Sequence, residues 1–289
     1  MISSESDVIA NLMGSKSPLF VGRLGSVEAE ILTVYSRGID IQYSPKKSRD
    51  NLRRRKEAWI SAGIWPPFQS ELIDFAREYE SALSSVNVMC YWNNKEFLPF
   101  EERIIASVCP NHEKLSLEVL DIAYLAKYAD SPWTMQLHGK NVLVISSFAE
   151  LIYAQYEKLE TLHSVPILPN FNLSTLKPPV SNGLNFSRQT WSANLKNFEA
   201  ELAKYLKSNS VDVALIAAGS YGLPISKYLF SQSIKTIYVG GVLQLYFGIW
   251  GNRWRQSDEV KALATDKWVN PQPAVKTRGS RLIEGGAYW

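Results

Sequence analysis

Cysteine is scarce in this chain: 289 residues hold only Cys90 and Cys109, in different segments and without a Cys-x-x-Cys pair. That argues against a disulfide framework and for two reduced thiols in a cytoplasmic protein. Histidine is almost as sparse, with His112, His138 and His163 scattered and none in an HExxH or paired spacing. A histidine-built zinc site is therefore not expected. Long apolar runs are missing as well, since no stretch approaches the roughly 20 residues of a membrane span. Met1 to Gly14 carries Glu5 and Asp7 and has no basic start followed by an apolar run, so it does not read as a signal peptide. Charge of one sign is also in short supply. Lys and Arg number 31 against 28 Asp and Glu, a net +3. So small an excess does not imply a nucleic-acid partner, but leaves room for an anionic small molecule or a lipid surface. The expected location is cytoplasmic, with an acceptor at the inner face of the membrane still compatible.

What remains suits a folded protein. Hydrophobic residues make up 46% of the chain and charged residues 20%, enough to bury a core. The most informative pattern is a recurring unit of short apolar run, small-residue turn and helical stretch. Pro18–Arg23 reads as a strand, Leu24-Gly25-Ser26 as its turn and Val27–Tyr35 as a helix. Asn141–Ile145, Ser146-Ser147 and Phe148–Leu159 repeat the unit, and so do Val211–Ala217, Gly219-Ser220-Tyr221-Gly222 and Leu223–Phe230. Thr236–Val239 is a fourth strand ending at Gly240-Gly241, and Val86–Tyr91 reads as a fifth. Nearly continuous apolar strands alternating with helices predict a mainly parallel sheet covered on both faces. The expected fold class is thus α/β, a single Rossmann-like domain spanning 1–289. A mainly helical insertion is expected around 44–130, with Phe68–Leu83 and Glu113–Tyr128 at helical spacing. Pro166–Asn185, rich in Pro, Asn and Ser, reads as a long loop.

In such sheets ligands bind beyond the carboxyl ends of the strands. Gly219 and Gly222 bracket a strand-to-helix turn where backbone N–H groups and the helix dipole could meet a diphosphate. On spacing alone a ligand-free turn explains GSYG equally simply. At the first turn Arg23 offers a forked donor, and Glu28 in the bend could point into a cleft. Acidic residues complementing a helix N-terminus explain Glu28 and Glu30 as well. Gly240–Arg255 sets Tyr246, Phe247, Trp250 and Trp254 among Gln244, Asn252, Arg253 and Arg255. That mixture suits a base or sugar ring, and equally an aromatic core patch with a basic rim. The chain closes on Glu284-Gly285-Gly286-Ala287-Tyr288-Trp289, too aromatic for a free tail, so docking on the domain is expected.

The stretch Phe20-Val21-Gly22-Arg23-Leu24-Gly25-Ser26-Val27-Glu28 resembles the RFGDGE-type motif of glycosyltransferases of the GT-D fold. The pieces Gly139–Ile145, Asp212–Ile216 with Gly219–Gly222, Gly240–Ile249 with Arg253-Trp254, and the terminal Glu284–Trp289 resemble a subgroup found among bacterial surface-glycan enzymes. The resemblance implies transfer of a sugar from a nucleotide-sugar donor to a glycan or lipid-linked acceptor in polysaccharide synthesis. It implies a DxE pair linked to Mn2+ or Mg2+. Here Ser26 stands at the Asp position and Glu28 at the Glu position, and a hydroxyl is a poor ligand for a hard cation. Metal dependence is thereby in doubt, with Glu28 as the one motif ligand left, assisted by donor oxygens. On this resemblance the leaving diphosphate falls to Arg23, the bend Gly25-Ser26, the turn Gly219, Ser220, Tyr221 and Gly222, and Gln244 and Arg253. Glu28 is the first acidic catalytic candidate and Glu284 the second, with Tyr246 and Trp254 as stacking surfaces. Two other readings stand beside this one. A transferase acting on a nucleic-acid base would use the basic run with Lys46, Lys47, Arg49 and Arg53 to Lys56. A nucleotide-sugar or glycan-binding module without turnover would explain the missing Asp.

Overall fold

Seven strands line up in the order β3-β2-β1-β7-β6-β4-β5, and every neighbouring pair is parallel. They are β1 (Phe20–Arg23), β2 (Val88–Tyr91), β3 (Glu113–Ser116), β4 (Asn141–Ser146), β5 (Asn172–Leu176), β6 (Val213–Ala217) and β7 (Lys235–Tyr238). The computed structural model describes residues 4–36, 47–185, 187–271 and 278–289, without the side chains of 47–52. Within the stretch read as a helical insertion, β2 and β3 are strands of the main sheet.

The central strands are apolar because both of their faces are covered. Along β6, Val213 and Leu215 enter one core cluster, while Ala214 and Ile216 enter the other. The first cluster is roofed by helices Glu5–Gly14 and Ala149–Tyr156 and by the short helix Leu243–Tyr246. The second lies under helices Ser26–Tyr35, Gln69–Leu83, Leu98–Val108, Trp191–Ser208 and Gly222–Ser231.

Two sequence expectations need correction, and both concern the sheet edges. Glu113–Tyr128 is not one helix. It begins as β3, passes through a single-turn 3-10 helix at Leu117–Leu120, and becomes helical at Ile122–Tyr128. Asp121 caps that last helix by accepting the Ala123 N–H at 2.9 Å. Pro166–Asn185 is not wholly a loop, since β5 pairs with β4 from Asn141↔Asn172 to Ile145↔Leu176. Edge strands face solvent on one side, so their composition is polar and short of the apolar run that marks a buried strand.

Because all the strands run the same way, the turns at Gly25, Ser147, Gly219 and Gly241 all sit at the carboxyl edge of the sheet. Neighbouring β1 and β7 then part company. The chain after β1 enters helix Ser26–Tyr35 on one face, and the chain after β7 enters helix Leu243–Tyr246 on the other. Such a divergence opens a crevice at the edge, where ligands bind in open parallel sheets.

Candidate functional site

Arg23 closes β1 at the mouth of this crevice. Its Nη1 donates to the Val239 carbonyl at 3.3 Å, and its guanidinium carbon lies 5.2 Å from the centre of the Trp92 ring. The close approach depends on Gly240 at φ +77°, where a Cβ would stand 2.4 Å from Arg23 Nη1. Trp92 is fixed in turn, its Nε1 donating to the Leu24 carbonyl at 2.7 Å and its backbone N–H to Glu101 Oε2 at 3.0 Å. Residue pairing sets this up, because Arg23 is in register with Cys90 on β2 and Trp92 follows that strand's end.

Glu28 lies in the first turn of helix Ser26–Tyr35 and folds back over its N-cap. A Cβ on Gly25 would stand 2.0 Å from Glu28 Oε2, so only glycine leaves room for this rotamer. The carboxyl is buried, and burial raises its pKa from the ordinary value. Its own backbone N–H and the Arg23 guanidinium work against that rise, and Glu284 adds to it. Ser26 is exposed at the start of the same helix.

Two tyrosines complete the inner wall. Tyr238, at the end of β7, donates to the Gly219 carbonyl at 2.9 Å and so ties the β7 end to the β6 turn. The Tyr79 hydroxyl is buried beside it, at a geometry short of a hydrogen bond. Burial raises the pKa of both phenols, and the Glu28 charge acts in the same direction.

The C-terminal segment covers the outer side. Trp289 is buried with its ring 6.3 Å from that of Phe148, so the expected docking of the tail is found. Gln244 Nε2 donates to the Tyr288 carbonyl at 3.2 Å, and the Arg253 N–H donates to the Ala287 carbonyl at 3.0 Å. Tyr288 donates its hydroxyl to the Glu284 carboxylate at 3.2 Å. Burial first, and then the Glu284 charge, push that phenol up to about 12. Glu284 also pairs with Arg253 at 3.4 Å, both side chains being nearly half exposed.

The structure thus brings Arg23, Gly25, Ser26 and Glu28 to one crevice, with Gly219 beside it and Glu284 and Arg253 at its rim. Other residues of the sequence reading have inward roles. Ser220 is fully buried and accepts from Trp191 Nε1 at 2.9 Å. Tyr221 stacks on Trp191 at 5.3 Å and shares a 2.9 Å hydrogen bond with Ser181. Gly222 is buried, and the Gln244 Nε2 is spent on the Ile249 and Tyr288 carbonyls while its Oε1 is buried without a partner. At this turn the exposed Gly219 backbone is what faces outward. Tyr246 does not offer a stacking surface, because its ring is in the core and its hydroxyl donates to the Leu120 carbonyl at 2.9 Å. Trp254 is buried likewise. Of the basic run, residues 44–46 and the side chains of 47–52, Lys46, Lys47 and Arg49 among them, lie outside the described residues. Arg53 is paired with Glu30 and Glu57, and Arg54 is buried near Glu30.

Trp92, Glu101, Tyr79 and Tyr238 escaped the sequence reading. Trp92 had a usable signal, as the first residue beyond the apolar run Val88–Tyr91 at a carboxyl strand end. Among the described residues, no group of three or more His, Cys, Asp or Glu side chains is arranged to hold a metal, and no helix is long and apolar enough to cross a membrane.

No family model and no curated protein matches the chain. Its fold is similar to three solved structures. One is a selenomethionine-substituted structure of the domain of unknown function 1792, at 13% identity and TM-score 0.45, covering 82% of this chain and 76% of that one. A second, of the same domain, is described as having a distinct glycosyltransferase fold, at 12% identity, TM-score 0.44 and the same coverage of 82% and 76%. A third is described as a new glycosyltransferase from Streptococcus sanguinis, at 12% identity and TM-score 0.46, covering 82% and 79%. This chain itself is an α/β domain built on a parallel seven-stranded sheet flanked by helices.

Proposed function

We propose that this protein is a glycosyltransferase that moves a sugar from a nucleotide-sugar donor to a glycan or lipid-linked acceptor. The observation that carries the reading is the pairing, in one crevice at a strand divergence, of a braced guanidinium with a buried carboxyl: Arg23 held by Trp92 and Val239, and Glu28 folded over Gly25. The resemblance of that same segment to the RFGDGE-type motif supports it.

The chemistry follows from these groups. The acceptor hydroxyl oxygen forms a bond to the anomeric carbon as the bond from that carbon to the diphosphate breaks. The electron pair leaves with the diphosphate, and Arg23 meets the growing charge with a forked pair of donors in a poorly solvated site. The acceptor proton passes to the Glu28 carboxylate, whose raised pKa brings it nearer the pH at which a general base works well. Tyr238 holds the Gly219 turn against the crevice, and the docked tail shields its outer side from water.

The groups around Glu28 do not fit a Mn2+ or Mg2+ ion. A hard cation seeks several ionised oxygens. Glu28 is a lone buried carboxyl, its motif partner is the Ser26 hydroxyl, and the Arg23 guanidinium is close enough to act on it. We therefore assign the cationic role at the donor phosphates to Arg23, and no step runs through a metal. A thermal-shift screen of nucleotide-sugars with and without Mn2+, followed by transfer and donor-hydrolysis assays, tests the reading. A stabilising donor that is turned over in the presence of a chelator supports it. Stabilisation with neither transfer nor hydrolysis would favour a binding module instead.

A further inference from the structure

Glu101 is a fully buried carboxyl beside this site that the proposed reaction leaves unused. It lies on helix Leu98–Val108 with no exposed surface. Its Oε2 accepts the Trp92 N–H at 3.0 Å, while its Oε1 is buried without a partner. Trp92 is in turn the platform on which the Arg23 guanidinium lies, and the Trp92 indole is locked to the Leu24 carbonyl, the residue after Arg23. A buried acid with one free oxygen is poorly explained as mere packing, because an unsatisfied buried polar atom is costly. Here it is joined through one residue to the cation assigned to the donor.

We propose that Glu101 is a positioning residue that braces Trp92 beneath Arg23 and, by gaining or losing its own charge, sets how strongly Arg23 holds a diphosphate. The inference rests on the donor role of Arg23 proposed above. Among the described residues, the groups that act on or respond to Glu101 are Arg23 from β1, Cys90 and Tyr91 from β2, Lys114 from β3, and Glu102 on its own helix. Burial is the largest influence and raises the pKa of Glu101 to about 7. The Trp92 N–H, Arg23 and Lys114 oppose the rise, and Glu102 adds to it. The switch therefore falls in the physiological range. Below it the acid is neutral and Arg23 presents its full charge. Above it the carboxylate offsets part of that charge, and an anion is held less tightly.

The test is calorimetric binding of inorganic pyrophosphate and of UDP to the whole chain from pH 5.5 to 8.5, for the wild type and Glu101→Gln. Glutamine keeps the shape and the Trp92 acceptor but cannot ionise. Comparing the two proteins at each pH cancels the ligand's own titration. The ratio of wild-type to variant Kd should rise by about three- to tenfold between the ends of the range, the size expected for one charge acting across the Trp92 ring from roughly 12 Å at an effective dielectric constant of about 20–40. A ratio that is flat across pH, with binding intact, overturns the role of Glu101 and leaves the donor site standing. No binding of either probe by the wild type overturns both. If the variant does not fold, carboxyl 13C spectra of the wild type decide. A buried glutamate that persists in Glu28→Gln, titrates near pH 7 and shifts upward with pyrophosphate supports the proposal, and none doing so refutes it.

Discussion

Replacing Glu101 by glutamine should make the protein gain stability relative to the wild type progressively as pH rises from 4.5 to 7, and gain no more beyond. The carboxyl is fully buried, and burial moves its pKa from an ordinary 4.5 to about 7 in the folded chain. A folded pKa above the unfolded one means that the native state binds the extra proton. Stability from this group is therefore fully present below 4.5 and is lost as pH climbs toward 7. At about 1.4 kcal/mol for each tenfold step in proton affinity, the whole loss is about 3 kcal/mol. Glutamine removes that dependence. It also places an amide where Oε1 now lacks a partner, at a cost on the order of 1–3 kcal/mol that is the same at every pH. The offset therefore drops out of the comparison, and only the pH-dependent part is read. Urea unfolding of both proteins at pH 4.5, 5.5, 7 and 8 measures it, and Glu28 titrates equally in both and cancels. A difference between the proteins that stays within about 0.5 kcal/mol of constant across that range would show that Glu101 does not change protonation on folding, and the reasoning from burial would fail.

Three further outcomes follow from the same geometry. Gly25→Ala puts a Cβ where Glu28 Oε2 now stands, 2.0 Å away; the flexible carboxyl should swing aside at a folding cost of about 1 kcal/mol or less, while transfer in a donor–acceptor assay falls tenfold or more. Glu28→Gln should abolish transfer with little change in donor affinity by calorimetry, with or without Mn2+, and a variant of normal activity would remove Glu28 from the mechanism. Trp289→Ala strips a buried aromatic packed on Phe148 and should cost about 3–5 kcal/mol in chemical denaturation, within the range for a large core truncation.

The parts legible in the sequence are those whose signal is local. Val213–Ala217 and the 142–145 stretch of Asn141–Ser146 announce themselves because burial on both sheet faces makes them uninterrupted apolar runs. The strands β3 and β5 stay hidden because polar edge strands lack an apolar run: Glu113 and Lys114 read as the start of a helix, and Asn172 and Ser174 as part of a loop. The site divides in the same way. Arg23, Gly25 and Glu28 sit within one short motif at a strand end, and its resemblance to the RFGDGE-type motif singles them out where spacing alone is met equally by a plain helix start. Tyr79, Trp92 and Glu101 come from the helix before β2, the end of β2 and the helix after it, and Tyr238 from the far-off end of β7; only the pairing of β1 with β2 and β7 sets them around Arg23. Turn position also says nothing of side-chain direction. Ser220 and Tyr221 were named for their place at a strand end, yet their side chains bond to Trp191 and Ser181 inside the core.

The central claim is that a nucleoside diphosphate is held in the crevice between β1 and β7 by the Arg23 guanidinium. Calorimetric titration of UDP and the other nucleoside diphosphates in the presence of a chelator, for wild type and Arg23→Ala, tests it most directly. Loss of a charge-assisted, forked contact should weaken binding by about 1.5–3 kcal/mol, tenfold to a hundredfold or more in Kd, with an unfolding midpoint close to that of the wild type. Equal affinity in the two proteins, or no binding of any nucleoside diphosphate by the wild type, would contradict it.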